Sequence, residues 1–193
     1  MTQATDPAPA SGRIAPATPP YAEGIARHLD KVMPEGVPPL VLFTTLARNP
    51  RVFSRMMSGG LLDRGTLTLR QREVMIDRTT ALCGAEYEWG VHIAFFGERV
   101  GITPDQSRSI VTGLPDDPCW EEEEDRLILR LADSLHETSS VDDALWTALR
   151  DVFSEEQLIE LVVLAGYYHT ISFCCRAFGL PLEPYAARFD AVT

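Results

Sequence analysis

The stretch EVMIDRTTALCGAEYEWGVHIAFFGERVG, residues 73–101, places several ionisable side chains among apolar residues that recur at helical spacing. Glu88 and His92 are four residues apart, so in a helix their side chains lie on one face and the carboxylate can orient the imidazole. Glu73 belongs to the preceding helical segment, whose apolar neighbours predict burial, and burial raises the pKa of a carboxyl group. Such titratable groups mark a candidate site.

The composition predicts one globular domain in the cytoplasm. Of the 193 residues 45% are hydrophobic, enough for a core, and the formal net charge of −11 disfavours a nucleic-acid partner. No N-terminal apolar segment and no run approaching membrane-span length stands out, so we expect neither secretion nor membrane insertion. The cysteines lack CxxC spacing and are expected to be reduced; they are Cys83, Cys119, Cys174 and Cys175.

The first 20 residues are rich in Pro, Ala, Thr and Ser, which predicts a disordered tail before a domain of residues 21–193. Apolar periodicity predicts helices in that domain and no strand, so the fold class is all-α, a compact domain of about six to eight helices. Six helices are predicted at 69–83, 86–100, 104–112, 121–137, 141–152 and 155–178, and shorter helical segments precede them at 21–33, 40–48 and 50–62.

Four helix starts carry a capping-box pattern, in which a hydroxyl accepts from the first turn and a later acid or amide returns the bond. The pairs are Thr68 with Gln71, Thr103 with Gln106, Ser140 with Asp143, and Ser154 with Gln157.

His92 and Glu73 each allow a functional and a structural interpretation. His92 beside Glu88 could serve as a general acid or base, because an imidazole titrates near neutrality, or it could be a core histidine satisfied by one carboxylate. Glu73 could relay a proton, or it could pair with a neighbouring arginine on the helix surface. Glu73, Glu88 and His92 together are the catalytic candidates.

Three further side chains are secondary candidates. Tyr87 could donate a hydrogen bond to a substrate or only pack, and His169 could face a pocket or pack in the core, so both are substrate-binding candidates. Cys83 could be a reactive thiol, but without a partner cysteine nearby in sequence a buried, inert thiol is the better interpretation. A metal is not predicted, since di-metal helical bundles use Glu-x-x-His pairs in duplicate, and no cofactor is expected.

Two parts of the chain resemble the carboxymuconolactone decarboxylase family, whose superfamily includes the alkyl hydroperoxidase D enzymes. LTLRQREVMIDRTTAL, followed by AEYEWGVHIAFFGERVGITPDQ, is similar to the family's core of a glutamate, a helix and a Tyr-x-Trp-x-x-His pattern. ELVVLAGYYHTISFCCRAFGLPLE is similar to its closing helix. The likeness covers roughly residues 40–185 and implies the all-α alkyl hydroperoxidase D-like fold, but fold alone does not assign a reaction.

The hydroperoxidase branch of this superfamily uses two cysteines in C-x-x-C, a histidine four residues later and an upstream glutamate. Glu73 and His92 match the glutamate and histidine positions, but the cysteine positions hold Ala85 and Glu88. Peroxide reduction needs one thiolate to attack and a second thiol to resolve the sulfenic acid, so peroxidase activity is not expected. A thiol-dependent alternative would rest on Cys83.

The resemblance to the decarboxylase branch implies that His92 donates a proton and that Glu88 orients the His92 ring. Glu73 then relays the proton or positions the substrate. The acids of the site repel a dianionic lactone unless cations compensate, and the local cations in sequence are Arg70, Arg72, Arg78 and Arg99.

We therefore expect a homo-oligomeric, cofactor-free lyase or proton-transfer enzyme that acts on a small unsaturated or cyclic carboxylate or a related molecule. The alternative is a non-catalytic oligomeric member that binds a small ligand. In that case Glu88 and His92 would face packed protein without a cavity.

Overall fold

The computed structural model describes residues 12–61 and 63–193, and these residues form nine α-helices and no strand. The all-α prediction is confirmed, with one helix more than the upper figure expected. The helices are α1 Glu23–Val32, α2 Val41–Leu46, α3 Pro50–Ser58, α4 Leu69–Leu82, α5 Glu86–His92, α6 Pro104–Thr112, α7 Glu123–Thr138, α8 Asp143–Val152 and α9 Glu155–Ala177.

Helix α4 is the centre of the fold, because α5, α6, α7 and α9 all pack against it. Residues 73–80 are buried without interruption, so α4 has no solvent face along this length. Three of these residues are ionisable, namely Glu73, Asp77 and Arg78. Buried charges are costly unless they are paired, so a residue that stays charged here needs a partner on a surrounding helix.

The pairing of Arg78 shows how this is done. Its guanidinium makes a two-pronged ion pair with Asp133 on α7, with Nε 2.6 Å from one carboxylate oxygen and Nη2 3.0 Å from the other. Its Nη1 donates to the carbonyl groups of Ser109, Ile110 and Gly113 at the end of α6. Arg78 therefore joins α4 to α6 and α7.

Three of the four predicted capping boxes are present, at Thr68, Thr103 and Ser154. The prediction for Ser140 is wrong. Helix α8 begins at Asp143, and the Asp142 side chain accepts from the Leu145 amide at 2.8 Å. Asp and Ser are comparable N-cap residues, so the pattern alone does not choose between neighbouring candidates.

Helix α5 is shorter than the predicted segment 86–100. The α-helix ends at His92, and the chain continues as a π-helical turn, Ile93–Gly97, and a 3₁₀ turn, Glu98–Val100. Single π-helical turns are rare and occur frequently at functional sites. In this protein the π-helical turn begins directly after the candidate histidine, His92.

Helix α9 corrects the expectation that no apolar run reaches membrane-span length. By length and composition Glu155–Ala177 is apolar enough to cross a membrane, although 44% of its most apolar window is buried inside the protein. The helix packs against α4, α5, α7 and α8. Its exposed apolar side chains include Ile159, Val163 and Phe173, and association through them stays a prediction.

The predicted N-terminal tail is only partly covered, because residues 1–11 lie outside the described residues. In the described remainder, the Arg13 amide donates to the Phe178 carbonyl at 2.7 Å and the Ala17 amide donates to the Thr44 carbonyl at 2.9 Å. This part of the segment is therefore hydrogen-bonded to the domain.

Candidate active site

The turn between α4 and α5 brings Glu73 and His92 together. Gly84 has φ +63°, a left-handed conformation that glycine adopts without steric cost, and the chain reverses there. Glu73 lies 11 residues before this turn and His92 lies 8 residues after it, on helices that pack against each other. The two side chains therefore lie at similar distances from the turn, measured along the helix axes. The Glu73 carboxylate lies 2.7 Å from His92 Nδ1, and both side chains are buried.

The other ring nitrogen of His92 has two neighbours. Its Nε2 lies 3.1 Å from the Tyr168 hydroxyl on α9 and 3.5 Å from a carboxylate oxygen of Glu88. The contact with Glu88 is the same-face contact that the four-residue spacing predicts. Tyr168 was not predicted, because it is 76 residues away in sequence and no local pattern connects it to His92.

The two carboxylates determine the charge of His92. Burial alone lowers the pKa of an imidazole, but the charge and hydrogen bond of Glu73, together with those of Glu88, outweigh it and raise the pKa of His92 to about 10. His92 is therefore an imidazolium at neutral pH. It donates from Nδ1 to Glu73 and carries a second proton on Nε2, which faces Tyr168 and Glu88.

Asp77 is a further acid of this cluster that sequence reasoning missed. It lies four residues after Glu73 on α4 and is 1% exposed, and its Oδ1 has no hydrogen-bond partner among the described residues. Burial, followed by the charge of Glu73, raises the pKa of Asp77 well above its usual value, so its neutral form is favoured. The i, i+4 spacing from Glu73 was the available signal.

Phe96, in the π-helical turn, lies between His92 and two arginines. Its ring centroid is 5.5 Å from that of His92, and the guanidinium carbons of Arg72 and Arg99 lie 6.0 and 5.4 Å from it. Arg72 also donates to Glu73 Oε1 at 3.2 Å. The two guanidinium groups therefore place positive charge beside Phe96, which is only partly buried and lies next to His92.

The other local cations are engaged elsewhere. Arg70 pairs with Asp125 at 2.7 Å and Arg78 pairs with Asp133, so both hold helices together. Of the arginines named from the sequence, only Arg72 and Arg99 lie beside the His92 cluster through Phe96.

Tyr87 is held in a separate hydrogen-bond network. Its buried hydroxyl donates to Glu183 at 2.6 Å and accepts from the Leu42 amide at 3.1 Å. Burial, followed by the bond to Glu183, raises the pKa of Tyr87. These bonds join α5 to α2 and to the C-terminal segment, and the proposed substrate-binding role of Tyr87 stays a prediction.

His169 also lies apart from Glu73 and His92, in an open groove of about 1010 Å³. The groove is lined by Cys83 and by His136, which the sequence reasoning did not select. A smaller cavity of about 320 Å³ lies near Asp105, and His92 lines neither of the two.

The cysteines do not restore the hydroperoxidase motif. All four are free thiols, and the Cys175 sulfur on α9 lies 4.0 Å from Glu88, which occupies one of the two cysteine positions of the motif. Burial, followed by the charge of Glu88, raises the pKa of Cys175, and burial also raises the pKa of Cys83. Raised pKa values disfavour the thiolate form that attacks peroxide.

The fold is similar to that of solved proteins described as peroxidase-related or as an alkylhydroperoxidase AhpD core, and the site brings Glu73 and His92 together without paired cysteines. The chain is similar to an uncharacterized peroxidase-related protein from Silicibacter sp. TM1040, with a TM-score of 0.75 and 16% identity over 98% of this chain and 99% of that one. It is also similar to a protein from Ralstonia eutropha JMP134, described as an alkylhydroperoxidase AhpD core and an uncharacterized peroxidase-related protein. There the TM-score is 0.74, with 19% identity over 85% and 87% of the two chains.

A protein of unknown function from Agrobacterium tumefaciens, described as a putative antioxidant defence protein AhpD, matches with a TM-score of 0.62 and 19% identity. That match covers 70% of this chain and 94% of the other. No family model and no curated protein matches the chain. At these identities the likeness establishes the fold, and the reaction has to be argued from the site.

Proposed function

We propose that the protein is a cofactor-free lyase or proton-transfer enzyme in which His92 is the general acid. The 2.7 Å bond between Glu73 and His92 carries this proposal, since it holds a buried imidazolium in one orientation and leaves the second proton on Nε2, the nitrogen that faces Tyr168 and Glu88. The substrate class that fits is a small unsaturated or cyclic carboxylate.

The chemical step follows from the protonation state. In such a substrate the bond between the ring and the carboxylate breaks, carbon dioxide leaves, and the electron pair passes into the conjugated system as a dienolate. The Nε2 proton of His92 is then transferred to the dienolate carbon, and the resulting neutral imidazole is reprotonated from solvent. Glu73 keeps the ring oriented and stabilises its positive charge, while Glu88 contacts the transferring nitrogen.

Substrate binding needs the site to open, because His92 is only 5% exposed, and Phe96 is the side chain that moves. Phe96 is partly buried, follows the end of α5, and is flanked by Arg72 and Arg99, which attract a carboxylate. The π-helical turn therefore supplies an entrance whose charge complements an anionic substrate and offsets the repulsion from the acids.

The closed site also favours a second candidate, a non-catalytic protein that binds a small ligand elsewhere. His92 is 5% exposed, and Glu73, Glu88 and Tyr168 already surround its two nitrogens. A histidine in this arrangement can simply stabilise the core. The two candidates differ in whether any substrate is turned over.

The test is turnover of a panel of unsaturated lactone acids. Turnover is measured as carbon dioxide release and as loss of the absorbance of the conjugated system. The lyase proposal predicts that His92→Asn and Glu73→Gln each lower kcat by about 100-fold or more, while the exposed Glu98→Gln behaves as wild type. If wild type turns over none of the panel, or if His92→Asn is as active as wild type, the lyase proposal fails.

A parallel assay with organic hydroperoxides and a dithiol reductant tests the thiol-dependent alternative. We expect no consumption above background, because the two positions of the thiol motif hold Ala85 and Glu88. Hydroperoxide turnover that Cys83→Ser abolishes would contradict this expectation.

A further inference from the structure

Three side chains that face the open groove converge from three helices. Cys83 follows the end of α4, His136 lies in the last turn of α7, and His169 lies on α9. The Cys83 sulfur is 3.9 Å from His136 Nδ1, which is 3.2 Å from His169 Nε2. All three potential ligand atoms lie within 4.8 Å of one another.

Two of these separations are close to those of a tetrahedral zinc site. With Zn–N bonds of about 2.0–2.1 Å and Zn–S bonds of about 2.3 Å, neighbouring ligand atoms are roughly 3.3–3.6 Å apart. Two observed separations, 3.2 and 3.9 Å, differ from these values by a few tenths of an ångström, and the third, between Cys83 and His169, is within 4.8 Å. Small side-chain rotations therefore suffice to place one ion between the three atoms.

A backbone carbonyl orients one of the two histidines. His169 Nδ1 lies 3.0 Å from the Ala165 carbonyl oxygen, which can only accept, so Nδ1 carries the hydrogen. The lone pair of His169 is then on Nε2, the atom that faces His136. Zinc-binding histidines commonly show this arrangement, with one nitrogen on the metal and the other donating to a carbonyl or carboxylate.

The groove leaves a fourth coordination position open to solvent. Cys83 is buried, His136 is exposed and His169 is partly buried, and all three line the groove, so water in the groove reaches the cluster. Metal sites with three protein ligands and an open position hold a water molecule there.

We propose that Cys83, His136 and His169 bind a single Zn²⁺ ion, with water from the groove as the fourth ligand. One thiolate and two imidazoles are the ligands that zinc prefers. The site is separate from the Glu73, Asp77 and His92 cluster, which is fully buried and offers two carboxylates and a single imidazole.

Cobalt is the probe, because a Co²⁺–thiolate bond gives a near-ultraviolet charge-transfer band and tetrahedral Co²⁺ gives intense visible bands. The full-length protein is stripped with a chelator and titrated with Co²⁺ alone, and the Co²⁺ is then displaced with Zn²⁺. We expect one ion per chain and both sets of bands. Cys83→Ser removes the charge-transfer band, and His136→Ala or His169→Ala weakens binding by about 100-fold or more.

Matched controls come from the same residue types outside the cluster. Cys174→Ser, His28→Ala and His92→Asn are expected to bind Co²⁺ as wild type does, and His92→Asn separates this site from the proposed active site. Circular dichroism and the melting temperature show that each variant is folded, and Zn²⁺ raises the melting temperature of wild type but not of Cys83→Ser. The proposal is overturned if wild type gives no thiolate band, if the band survives in Cys83→Ser, or if His92→Asn abolishes it.

Discussion

Two histidine clusters lie along helix α4, and they differ in burial. Near the start of α4, Glu73 meets His92 in a closed cluster, whereas ten residues later, about 15 Å along the helix, Cys83 meets His136 and His169 in an open groove. Helix α9 contributes to both through adjacent residues, since Tyr168 contacts His92 and His169 faces the groove. Successive residues on a helix point about 100° apart, so one helix can supply two unrelated sites.

The difference in burial determines how much each cluster contributes to the free energy of unfolding. In the closed cluster the histidine is charged, and the carboxylates around it compensate for the loss of water. In the open groove His136 and His169 remain in contact with water, so their interactions with each other contribute little to folding. We therefore expect changes to the closed cluster to alter stability and changes to the open cluster to alter ligand binding.

The largest expected effect is the pH dependence of stability. The pKa of His92 is about 10 in the folded protein and near its ordinary 6.5 when unfolded, so the folded state binds the proton more tightly. The stabilisation is fully present below about pH 6.5 and is lost as pH rises through about 10. We expect a loss on the order of 4 kcal/mol in the free energy of unfolding across this window, measured by urea denaturation. A flat profile between these pH values would contradict the assigned charge of His92.

The next effect is that of Glu73→Gln. Removing one partner of a buried ion pair leaves the other uncompensated, and we expect a loss of about 3 kcal/mol in the free energy of unfolding at neutral pH. The same variant is expected to flatten the pH dependence described above. Glu98→Gln is the matched control on the exposed surface and is expected to change stability by no more than about 0.5 kcal/mol.

A smaller effect is expected for Tyr168→Phe, which removes the hydroxyl 3.1 Å from His92 Nε2. Glu88 remains 3.5 Å from the same nitrogen and can take over part of the interaction, so the expected loss is about 1 kcal/mol. Urea denaturation of the variant measures it. A loss equal to that of Glu73→Gln would mean that Tyr168, and not the carboxylates, dominates the closed cluster.

The smallest effect on stability is expected in the open groove. Because His136 is exposed, His136→Ala is expected to change the free energy of unfolding by about 0.5 kcal/mol or less in metal-free protein. Thermal and urea unfolding in the presence of a chelator measure this. A loss of several kcal/mol would remove the contrast between the two clusters.

The sequence predicted what depends on local spacing. The three capping boxes and the contact between Glu88 and His92 follow from separations of three or four residues, and the structure confirms them. Glu73 was selected because of its apolar neighbours and the family resemblance. The structure adds that it lies 2.7 Å from His92, although their catalytic role stays a prediction.

What the sequence did not predict depends on tertiary packing. Tyr168 and His136 reach their clusters from helices more than 30 residues away from their partners, and single-sequence periodicity carries no information about such contacts. The π-helical turn after His92 was also missed, because apolar periodicity does not distinguish a π-helical turn from a continuing α-helix. Asp77 had a local signal, its position four residues after Glu73.

The central claim is that His92 is a buried imidazolium held by Glu73, and nitrogen-15 NMR of histidine-labelled protein tests it most directly. His92→Asn assigns the His92 signals by their disappearance. The account predicts that both ring nitrogens of His92 carry protons at pH 7.5 and that they titrate near pH 10. A His92 with one unprotonated nitrogen at pH 7.5 and a titration midpoint below 7 would contradict it.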